Sequence, residues 1–563
     1  MQRLYTGEGR ALSGTPWERY PRPQLRREDW LCLNGEWELA VIDRRGRERR
    51  GPIRVPFCPE SLLSGVKEPP EPGDRLVYRR GFSVPETWRG RRVLLHFGAV
   101  MRECSILVNG RTLCRHQNGY LPFTVDVTAS LREGENELRV EVCNDLDRRF
   151  PWGKQSRRRG GMWYTPCSGI WQTVWLEPVP ERHVRALRLS TGADWAEIEA
   201  EGVRDGVVEA DGQRVPLCDG KARLELARAR LWSPDDPYLY ELTLTSREDR
   251  VRSYFALRTL TTETVNGVPR LCLNGKPYFF NAVLDQGYWS DGLYTPAAPE
   301  CLEKDILAMK ALGFNTLRKH IKIEPEQFYY DCDRLGMLVF QDMVNNGEYR
   351  YIRDTVLPTL HFQTRRDARL NPDPETRRHF LEAMEETVGL LQNHPCICLW
   401  TIFNEGWGQF CADEAYRRLK ALDAKRWIDT TSGWFRQTES DVDSLHIYFD
   451  PLHLGKERRP QLLSEFGGYV WKLPEHSFNT EKTYGYRKFE TREDFVQGLR
   501  GLYETLAALA AEGLCGAVYT QLSDVEDETN GFFTFDRAAL KLRPEELRDL
   551  AGQLQSAVGN GGP

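Results

Sequence analysis

The stretch CLWTIFNEGWGQF, residues 398–410, joins a continuous apolar run to an asparagine and a glutamate. A short apolar run of this kind is typical of a strand that is buried on both faces. Amphipathic helical patterns stand on either side of it, at residues 375–394 and 412–423. A buried strand between two helices indicates a β–α repeat, and therefore a parallel sheet.

The same alternation continues outward from this stretch, from about residue 263 to near the C-terminus. The other strand-like segments are PYFFNAVLD (277–285), FNTLRKH (314–320), MLVFQDM (337–343), WIDTTS (427–432), SLHIYF (444–449), QLLSEF (461–466) and CGAVYTQLSD (515–524). Repeated β–α units of this number predict a (β/α)8 barrel, a TIM barrel, over residues 263–563. An open doubly wound sheet is the competing arrangement, but no glycine-rich phosphate fingerprint follows the first strand.

The part of the chain before the barrel has the pattern of β-sandwiches. Up to residue 180, alternating segments such as LCLNGEWELAVI (31–42) and RRVLLHFGAV (91–100) predict a jelly-roll-like β-sandwich. Residues 181–262 continue as short strands, in a length that suits an immunoglobulin-like β-sandwich. We therefore predict three domains, 1–180, 181–262 and 263–563.

Composition excludes several classes of protein. The formal net charge is −5, which gives no general attraction to nucleic acid or to anionic membranes. The 14 cysteines show no zinc-binding spacing, and their scattered positions favour a reducing compartment. The N-terminus lacks an apolar signal segment, and no apolar run is long enough to span a bilayer, so we expect a cytoplasmic protein. The basic run RRFPWGKQSRRRGG (148–161) is expected to be a solvated loop, or else a loop that reaches an anionic group or a neighbouring subunit.

Two glutamates stand where predicted barrel strands stop. Glu405 ends CLWTIFNE, Glu465 ends QLLSE, and a glycine follows each within two residues. Since barrel chemistry lies at the carboxyl ends of the strands, the two carboxylates are expected to face each other. Paired carboxylates suit glycosidic bond cleavage, in which one protonates the leaving group and the other attacks the anomeric carbon. A separation of about 5–5.5 Å retains the anomeric configuration, whereas roughly 6.5–9.5 Å inverts it.

The motifs around these glutamates, TIFNEGWG and LLSEFGGY, resemble the acid/base and nucleophile motifs of glycoside hydrolase family 2. That family holds β-galactosidases, β-glucuronidases and β-mannosidases. The resemblance runs along nearly the whole chain, through LNGEWELA, LPFTVDVT, GIWQTVWLE, LWSPDDPYLYEL and FNTLRKH in the family's order. It implies a retaining exo-β-glycosidase with Glu405 as general acid/base and Glu465 as nucleophile. It also implies that Asn404 binds the sugar 2-hydroxyl.

Further residues after the strands are predicted to contact the substrate or the nucleophile. The resemblance implies that Arg318 braces the nucleophile. His320 lies two positions on and shares its side-chain direction in an extended strand, although many family members carry the histidine three positions after the arginine. The other candidate sugar ligands are Asp285, Gln286, His446, Tyr448 and, as a stacking platform, Trp471. For each of them the alternative is a packing role beside the site.

The sugar is less closely defined by the sequence. The resemblance favours a β-galactosidase-like enzyme, because TQLSDVEDETNGFFTFDR (520–537) is similar to a branch of the family that commonly carries this label. The Asn-x-Lys element of β-glucuronidases has no lysine in the corresponding segment, residues 527–537, which counts against a standard glucuronidase. A β-uronidase, galacturonidase- or glucuronidase-like, stays open, since Lys319, Lys322 or Lys154 with the arginines after it offers another cation. The acidic residues of segment 524–528 are expected to form a solvated loop, so we predict no metal and no cofactor.

Two other classes of protein compete with a glycosidase. A non-catalytic carbohydrate-binding protein is expected to lack one of the two glutamates, and both are present. A lyase or aldolase barrel needs a Schiff-base lysine or metal ligands, and Lys319 is the one lysine that we consider for this role. The predicted partner is a carbohydrate substrate, without nucleic acid or membrane. Family relatives often form dimers or tetramers, so a homo-oligomer stays open.

Overall fold

The computed structural model describes residues 1–143, 145–247, 249–360, 362, 366–455 and 458–559. Antiparallel strands dominate up to about residue 260, as predicted. These strands are β1 Leu31–Cys32, β2 Gly35–Ile42, β3 Glu48–Val55, β4 Arg75–Ser83, β5 Arg92–Phe97, β6 Val100–Met101, β7 Glu103–Val108, β8 Arg111–His116, β9 Phe123–Asp126, β10 Glu135–Cys143, β11 Gly169–Ile170, β12 Val174–Val179, β13 Ala186–Thr191, β14 Trp195–Glu201, β15 Gly206–Ala210, β16 Gln213–Leu217, β17 Lys221–Glu225, β18 Tyr240–Ser246 and β19 Asp249–Phe255.

The first twelve strands form the predicted N-terminal sandwich. A four-stranded sheet, β1-β12-β5-β9, and a six-stranded sheet, β3-β2-β4-β10-β7-β8, pack their apolar faces together. In β10, alternate residues from Asn136 to Val142 are buried because successive side chains of a strand point to opposite faces. The next sandwich, β13-β14-β17 against β16-β15-β18-β19, has its own core around Ile198 and Leu242. The predicted domain limits at residues 180 and 262 stay predictions.

A short antiparallel sheet leads into the barrel, whose eight strands are parallel. The strands are β20 Leu260–Val265, β21 Val268–Leu273 and β22 Lys276–Pro277, then β23 Phe280–Asp285, β24 Thr316–Lys319, β25 Leu338–Asp342, β26 Ile397–Asn404, β27 Trp427–Ser432, β28 Asp443–Ile447, β29 Gln461–Phe466 and β30 Leu514–Tyr519. The barrel sheet runs β27-β26-β25-β24-β23-β30-β29-β28. The strand of the opening stretch is therefore the fourth of the barrel, and QLLSEF is the seventh.

The seam between the fifth and sixth strands closes the ring through a few polar contacts. The amide of Asp441 donates to the carbonyl of Ile428 at 3.0 Å, and Ser444 Oγ donates to Asp429 at 2.8 Å. The described residues hold no α-helix between β27 and β29, which agrees with the absence of a helical pattern there. The barrel is consequently least regular beside the strand that carries His446.

Helices cover the rest of the barrel, and those at residues 374–391 and 412–422 lie where the patterns on either side of the opening stretch predict them. They are α2 Glu300–Ala311, α3 Glu326–Leu335, α4 Leu357–Thr359, α5 Pro374–Leu391, α6 Ala412–Leu422, α7 Arg492–Glu512 and α8 Arg548–Gly559, after the short α1 Gly7–Ala11. Helix α5 begins at a cap in which Asp373 accepts from the amide of Thr376, and its predicted apolar face, Phe380 to Leu391, is buried. None of the helices in the described ranges combines the length and the apolar character that crossing a bilayer requires.

Candidate active site

Glu405 and Glu465 lie at the same end of the barrel, as the positions of their strands predicted. Every residue of β26 is buried, and Glu405 follows the strand with a left-handed φ of +53°. That region is unfavourable for residues other than glycine, and here the backbone amide of Glu405 donates a hydrogen bond to the carbonyl of Ser432, at 2.9 Å, which holds the turn. A Cβ on the next residue, Gly406, would lie 2.0 Å from the ring of Phe435, so this turn requires glycine.

His446 lies between the two carboxylates. Its Nδ1 is 2.9 Å from Oε1 of Glu405 and 3.7 Å from Oε2 of Glu465. One oxygen of each glutamate and one ring nitrogen of His446 all lie within 4.8 Å of one another. On the opposite side of the ring, Nε2 lies 3.2 Å from Oγ of Ser432. The sequence predicted His446 as a sugar ligand, whereas the structure shows it in contact with both glutamates.

Glu465 is buried and fully partnered. Its Oε1 accepts from Nη1 of Arg318 at 3.2 Å, and its Oε2 accepts from the hydroxyl of Tyr448 at 2.5 Å. Burial alone would raise the pKa of Glu465, but the charges of His446 and Arg318 outweigh it and lower that pKa to about 2. The carboxylate is therefore ionised and oriented at neutral pH, as a nucleophile must be.

Arg318 links several of these groups from the floor of the site. Its side chain is 1% exposed and makes five hydrogen bonds: Nε donates to both oxygens of Asp342, Nη1 to Glu465 and to the carbonyl of Ser464, and Nη2 to Oδ1 of Asn404 at 2.9 Å. Asn404 is thereby fixed with its amide nitrogen left without a protein partner in the described part of the chain. Our sequence reasoning missed Asp342, although it ends the strand MLVFQD and obeys the same strand-end rule as the glutamates.

His320 contacts Asp342 rather than the glutamates. Its Nδ1 lies 2.6 Å from Oδ2 of Asp342, and its Nε2 is buried without a partner among the described residues. Burial lowers the pKa of His320 to about 4, assisted by the charge of Lys154 and opposed by Asp342. The ring is therefore neutral at neutral pH. Since Nδ1 faces a carboxylate and carries the hydrogen, Nε2 is an acceptor.

Three predicted ligands have no described contact with the glutamates. Asp285 accepts from Lys319 at 2.6 Å, and this charge lowers the pKa of Asp285 against the effect of its burial. Gln286 is buried with its amide nitrogen unpartnered among the described residues. Trp471 packs against Phe495 of α7, 6.2 Å between ring centres. The structure thus brings Asn404, Arg318, His446 and Tyr448 to the glutamates and does not bring these three to them, and the role of each of the seven stays a prediction.

The basic segment 148–161 is only partly solvated. Arg148, Arg149, Arg157 and Arg158 are exposed as expected, whereas residues 150–153 and 155 are buried. Trp152 is 5% exposed and stacks on Trp163, with ring centres 5.4 Å apart. Both indoles meet Trp407, two residues beyond Glu405, edge to face at 5.0 and 5.2 Å. This aromatic cluster forms one wall of the site. Beside Glu465, Tyr486 stacks on Tyr448, with ring centres 3.6 Å apart. The sequence carried no signal for Tyr486.

The acidic segment 524–528 was also predicted to be a solvated loop, and this was wrong. Its four acidic side chains belong to residues that are 1–6% exposed. Asp524 pairs with Lys541 at 2.7 Å, Glu526 accepts from the amide of Thr165, and Glu528 accepts from the hydroxyl of Tyr164. The segment therefore ties the barrel to the N-terminal sandwich instead of facing solvent.

One group of three donors in the described chain is compact enough to hold a metal ion, namely Glu405, His446 and Glu465. The hydrogen bonds of these side chains to one another, to Arg318 and to Tyr448 account for their positions. The predicted independence of metals and cofactors stays a prediction. Chemically, the site offers an ionised buried carboxylate next to a second carboxylate that is 17% exposed, beside polar groups for a sugar.

Two family models match parts of this chain. Residues 268–460 match the family model "Glycosyl hydrolases family 2, TIM barrel domain", and residues 73–204 match "Glycosyl hydrolase 2 galactose-binding domain-like". A β-galactosidase of Aeromonas hydrophila is 28% identical over 75% of this chain and 43% of its own length. A β-glucuronidase of Paenibacillus borealis is 25% identical over 73% of each chain. The chain thus spans less than half of the first of these relatives.

Solved structures share the fold along almost the whole chain. A β-D-glucuronidase of Dictyoglomus thermophilum superimposes with a TM-score of 0.74 at 19% identity, over 95% of this chain and 98% of that one. A β-galacturonidase of Eisenbergiella tayi, bound to galacturonate, gives a TM-score of 0.69 at 21% identity, over 94% and 98%. At these identities the likeness establishes the three-part architecture and leaves the substrate to be argued from the residues.

Proposed function

Because the chain belongs to glycoside hydrolase family 2, we propose that it hydrolyses terminal β-linked sugars with retention of configuration. In this proposal Glu465 is the nucleophile and Glu405 is the general acid/base. The observation that carries it is the approach of the two carboxylates, one oxygen of each within 4.8 Å of the other. Inversion needs room for a water molecule between them, roughly 6.5–9.5 Å.

The reaction then runs in two displacements. In the first, Glu405 gives its proton to the glycosidic oxygen while a carboxylate oxygen of Glu465 bonds to the anomeric carbon, and the aglycone leaves as an alcohol. In the second, the Glu405 carboxylate takes a proton from water, the water oxygen bonds to the anomeric carbon, and the bond to Glu465 breaks. Each step inverts the anomeric carbon, so the product keeps the β-configuration.

The neighbouring groups have roles that follow from their contacts. Arg318 and Tyr448 hold the two oxygens of Glu465, and the charges of His446 and Arg318 keep it ionised. Arg318 also fixes Asn404, whose amide nitrogen is then free to donate to the sugar 2-hydroxyl, a contact that strengthens in an oxocarbenium-like transition state. His446 faces Glu405 through Nδ1, so it stabilises the carboxylate that forms once Glu405 has given up its proton.

The surroundings of the site favour a terminal sugar over an internal one. Trp152 and Trp163 cover the side of the site next to Trp407. Gly161, in the same basic segment as Trp152, lies so close to the ring of Tyr484 that a Cβ there would be 3.6 Å from it. The segment therefore spans from the Glu405 side of the site to the loop that carries Tyr484. A site walled in this way takes one chain end, which supports exo action.

A panel of p-nitrophenyl β-glycosides, with neutral sugars and uronides, tests the proposal. We expect Glu465→Gln to lose nearly all turnover on whichever glycoside the wild type hydrolyses. We expect Glu405→Ala to recover part of its turnover on an activated substrate when azide is added, since azide needs no general base. Glu490→Gln, at an exposed glutamate of the barrel domain, is the matched control. Full turnover by Glu465→Gln would contradict the mechanism, and no turnover by the wild type on any glycoside of the panel would contradict the activity.

A further inference from the structure

The polar groups that bind the sugar decide which glycone the site accepts, and an anionic glycone needs a cation that the protein leaves available. Arg318 is paired with the carboxylates of Asp342 and Glu465. Lys319 is 1% exposed and bonds to Asp285 at 2.6 Å and to Glu324 at 2.7 Å. Lys322 bonds to Glu324 at 2.8 Å and to two backbone carbonyls. All three cations are thus neutralised or saturated by the protein, so none of them is available to an anionic substrate.

Lys154 differs from these three cations. It is half-buried, and it forms no ion pair within 4.0 Å with a carboxylate of the described chain. It stands in the middle of the segment 148–161, which crosses the barrel mouth. Removing an ammonium from water without a counter-charge is costly, so a ligand that supplies the opposite charge would stabilise Lys154.

Backbone contacts place Lys154 next to the ends of the second and fourth barrel strands. Its carbonyl accepts from the amide of Tyr164 at 3.0 Å, which fixes the turn. The residue before it, Gly153, is so close to the barrel that a Cβ there would lie 3.2 Å from the carbonyl of Ile321, the residue after His320. Trp152, two residues before Lys154, packs on Trp407. The backbone at Lys154 therefore lies between the segment that follows His320 and the turn that carries Glu405.

Its charge acts on three groups of the site. It lowers the pKa of His320, where burial is the larger cause, and that of Glu465, where His446 and Arg318 act more strongly. It also opposes the burial that raises the pKa of Glu528. Since electrostatic effects on buried groups fall off with distance, the ammonium lies within range of all three.

Glu528 is a carboxyl on which the charge of Lys154 acts, but Glu528 is held by neutral partners instead. One of its oxygens accepts from the hydroxyl of Tyr164 and the other from Nδ2 of Asn530 at 3.1 Å. Meanwhile Nε2 of His320 is buried, unpartnered among the described residues, and an acceptor. Lys154 could pair with a carboxylate, and Nε2 of His320 could accept from a hydroxyl beside it. A uronic acid ring carries this pair of groups, with the carboxylate on C5 and the hydroxyl on C4.

We propose that Lys154 binds the carboxylate of a β-linked uronic acid, and that the site selects an anionic glycone over the neutral hexoses. The residue comes from the N-terminal sandwich, so the sandwich completes the substrate site of the barrel. This inference rests on the proposed glycosidase function and adds the class of glycone to it.

Substrate preference in wild type and Lys154→Met tests this role. We expect wild type to hydrolyse p-nitrophenyl β-D-galacturonide or β-D-glucuronide with at least a hundredfold higher kcat/KM than the matching galactoside or glucoside. We expect Lys154→Met to lower kcat/KM on the uronide by about a hundredfold, since removing one partner of a desolvated charge pair costs this much or more. Arg158→Gln, an exposed arginine of the same segment, is the control and keeps the wild-type preference. Thermal unfolding of all variants excludes a general loss of folding.

Binding of the free sugar acids by titration calorimetry gives a readout that does not depend on turnover. Wild type is expected to bind D-galacturonate or D-glucuronate more tightly than D-galactose or D-glucose, and Lys154→Met is expected to lose this difference. Turnover of neutral glycosides but not uronides, or an equal loss on both in Lys154→Met, would overturn the role of Lys154 and leave the glycosidase proposal intact. Selective binding of sugar acids that depends on Lys154, without turnover of any glycoside, would support Lys154 and overturn the glycosidase proposal.

Discussion

Replacing Arg318 by lysine tests the role of the guanidinium without removing its charge. Arg318 reaches Asp342, Glu465 and Asn404 through three different nitrogens, at 2.9–3.2 Å. A lysine has one nitrogen on a flexible chain, so it cannot serve the three side chains at once. If the ammonium stays with Asp342, the bonds to Asn404 and Glu465 are lost.

The size of the effect follows from these two bonds. Leaving a buried hydrogen-bonding group unpaired costs about 1–3 kcal/mol, so the two together cost about 2–6 kcal/mol. At about 1.36 kcal/mol for each factor of ten, we expect Arg318→Lys to lower kcat/KM by about 30-fold to 10⁴-fold, mainly through kcat. The assay is steady-state hydrolysis of the best β-glycoside of the panel, with thermal unfolding measured in parallel.

A second substrate separates positioning from general damage. Asn404 is proposed to bind the 2-hydroxyl, and Arg318 orients Asn404. On the corresponding 2-deoxy glycoside that contact is already absent, so the deficit of Arg318→Lys should shrink by about tenfold or more. A variant with at least one third of wild-type kcat/KM, or with an equal deficit on both substrates, would refute the reasoning.

Three further perturbations follow from the site. Tyr448→Phe keeps the stacked ring but removes the hydrogen bond from the hydroxyl to the proposed nucleophile, so kcat should fall about 10- to 100-fold. In the control Thr520→Val, which removes the other partner of that hydroxyl, kcat should stay within about threefold of wild type. Equal losses of kcat in the two variants would contradict the assignment. Gly433→Ala would place a Cβ 2.8 Å from the ring of His446, at a φ of +93° that is strained for alanine. We expect kcat to fall and the free energy of unfolding to drop by about 1–3 kcal/mol, with a lower thermal midpoint. Wild-type values of kcat and of the midpoint would show that the ring has room. Burial, opposed by a nearby arginine, raises the pKa of Asp429 from 3.8 to about 6. Its folded form therefore holds a proton more tightly than its unfolded form, and stability is lost as pH rises through this window, by at most ~3 kcal/mol. Asp429→Asn should raise the thermal midpoint at pH 7.5 but not at pH 4, and an equal change at both values would contradict this titration.

The sequence predicted the barrel well because its physical signals are local. Strands such as CICLWTIFN are buried along their whole length, and helix α5 shows its apolar face at a period of 3.6 residues. The two glutamates were found by one topological rule, since parallel strands deliver their carboxyl ends to one face. The same rule would have found Asp342, had it been applied to the third strand.

What the sequence did not predict depends on contacts between distant segments. The burial of Trp152 and of the acidic residues 524–528 results from docking of the sandwich onto the barrel mouth, and hydrophilic composition alone suggested solvated loops. Likewise, Lys319 and Lys154 look alike in the sequence. Only the structure shows that the first is paired with Asp285 and Glu324, whereas the second has no carboxylate partner in the described chain.

The configuration of the first sugar released is the most direct measurement of the central claim. Proton NMR during the first minutes of hydrolysis of the preferred β-glycoside distinguishes the two anomers before they equilibrate. A double displacement between Glu465 and Glu405, whose oxygens lie within 4.8 Å, predicts the β-anomer as the first product. Initial appearance of the α-anomer would mean a single displacement by water and would contradict the account.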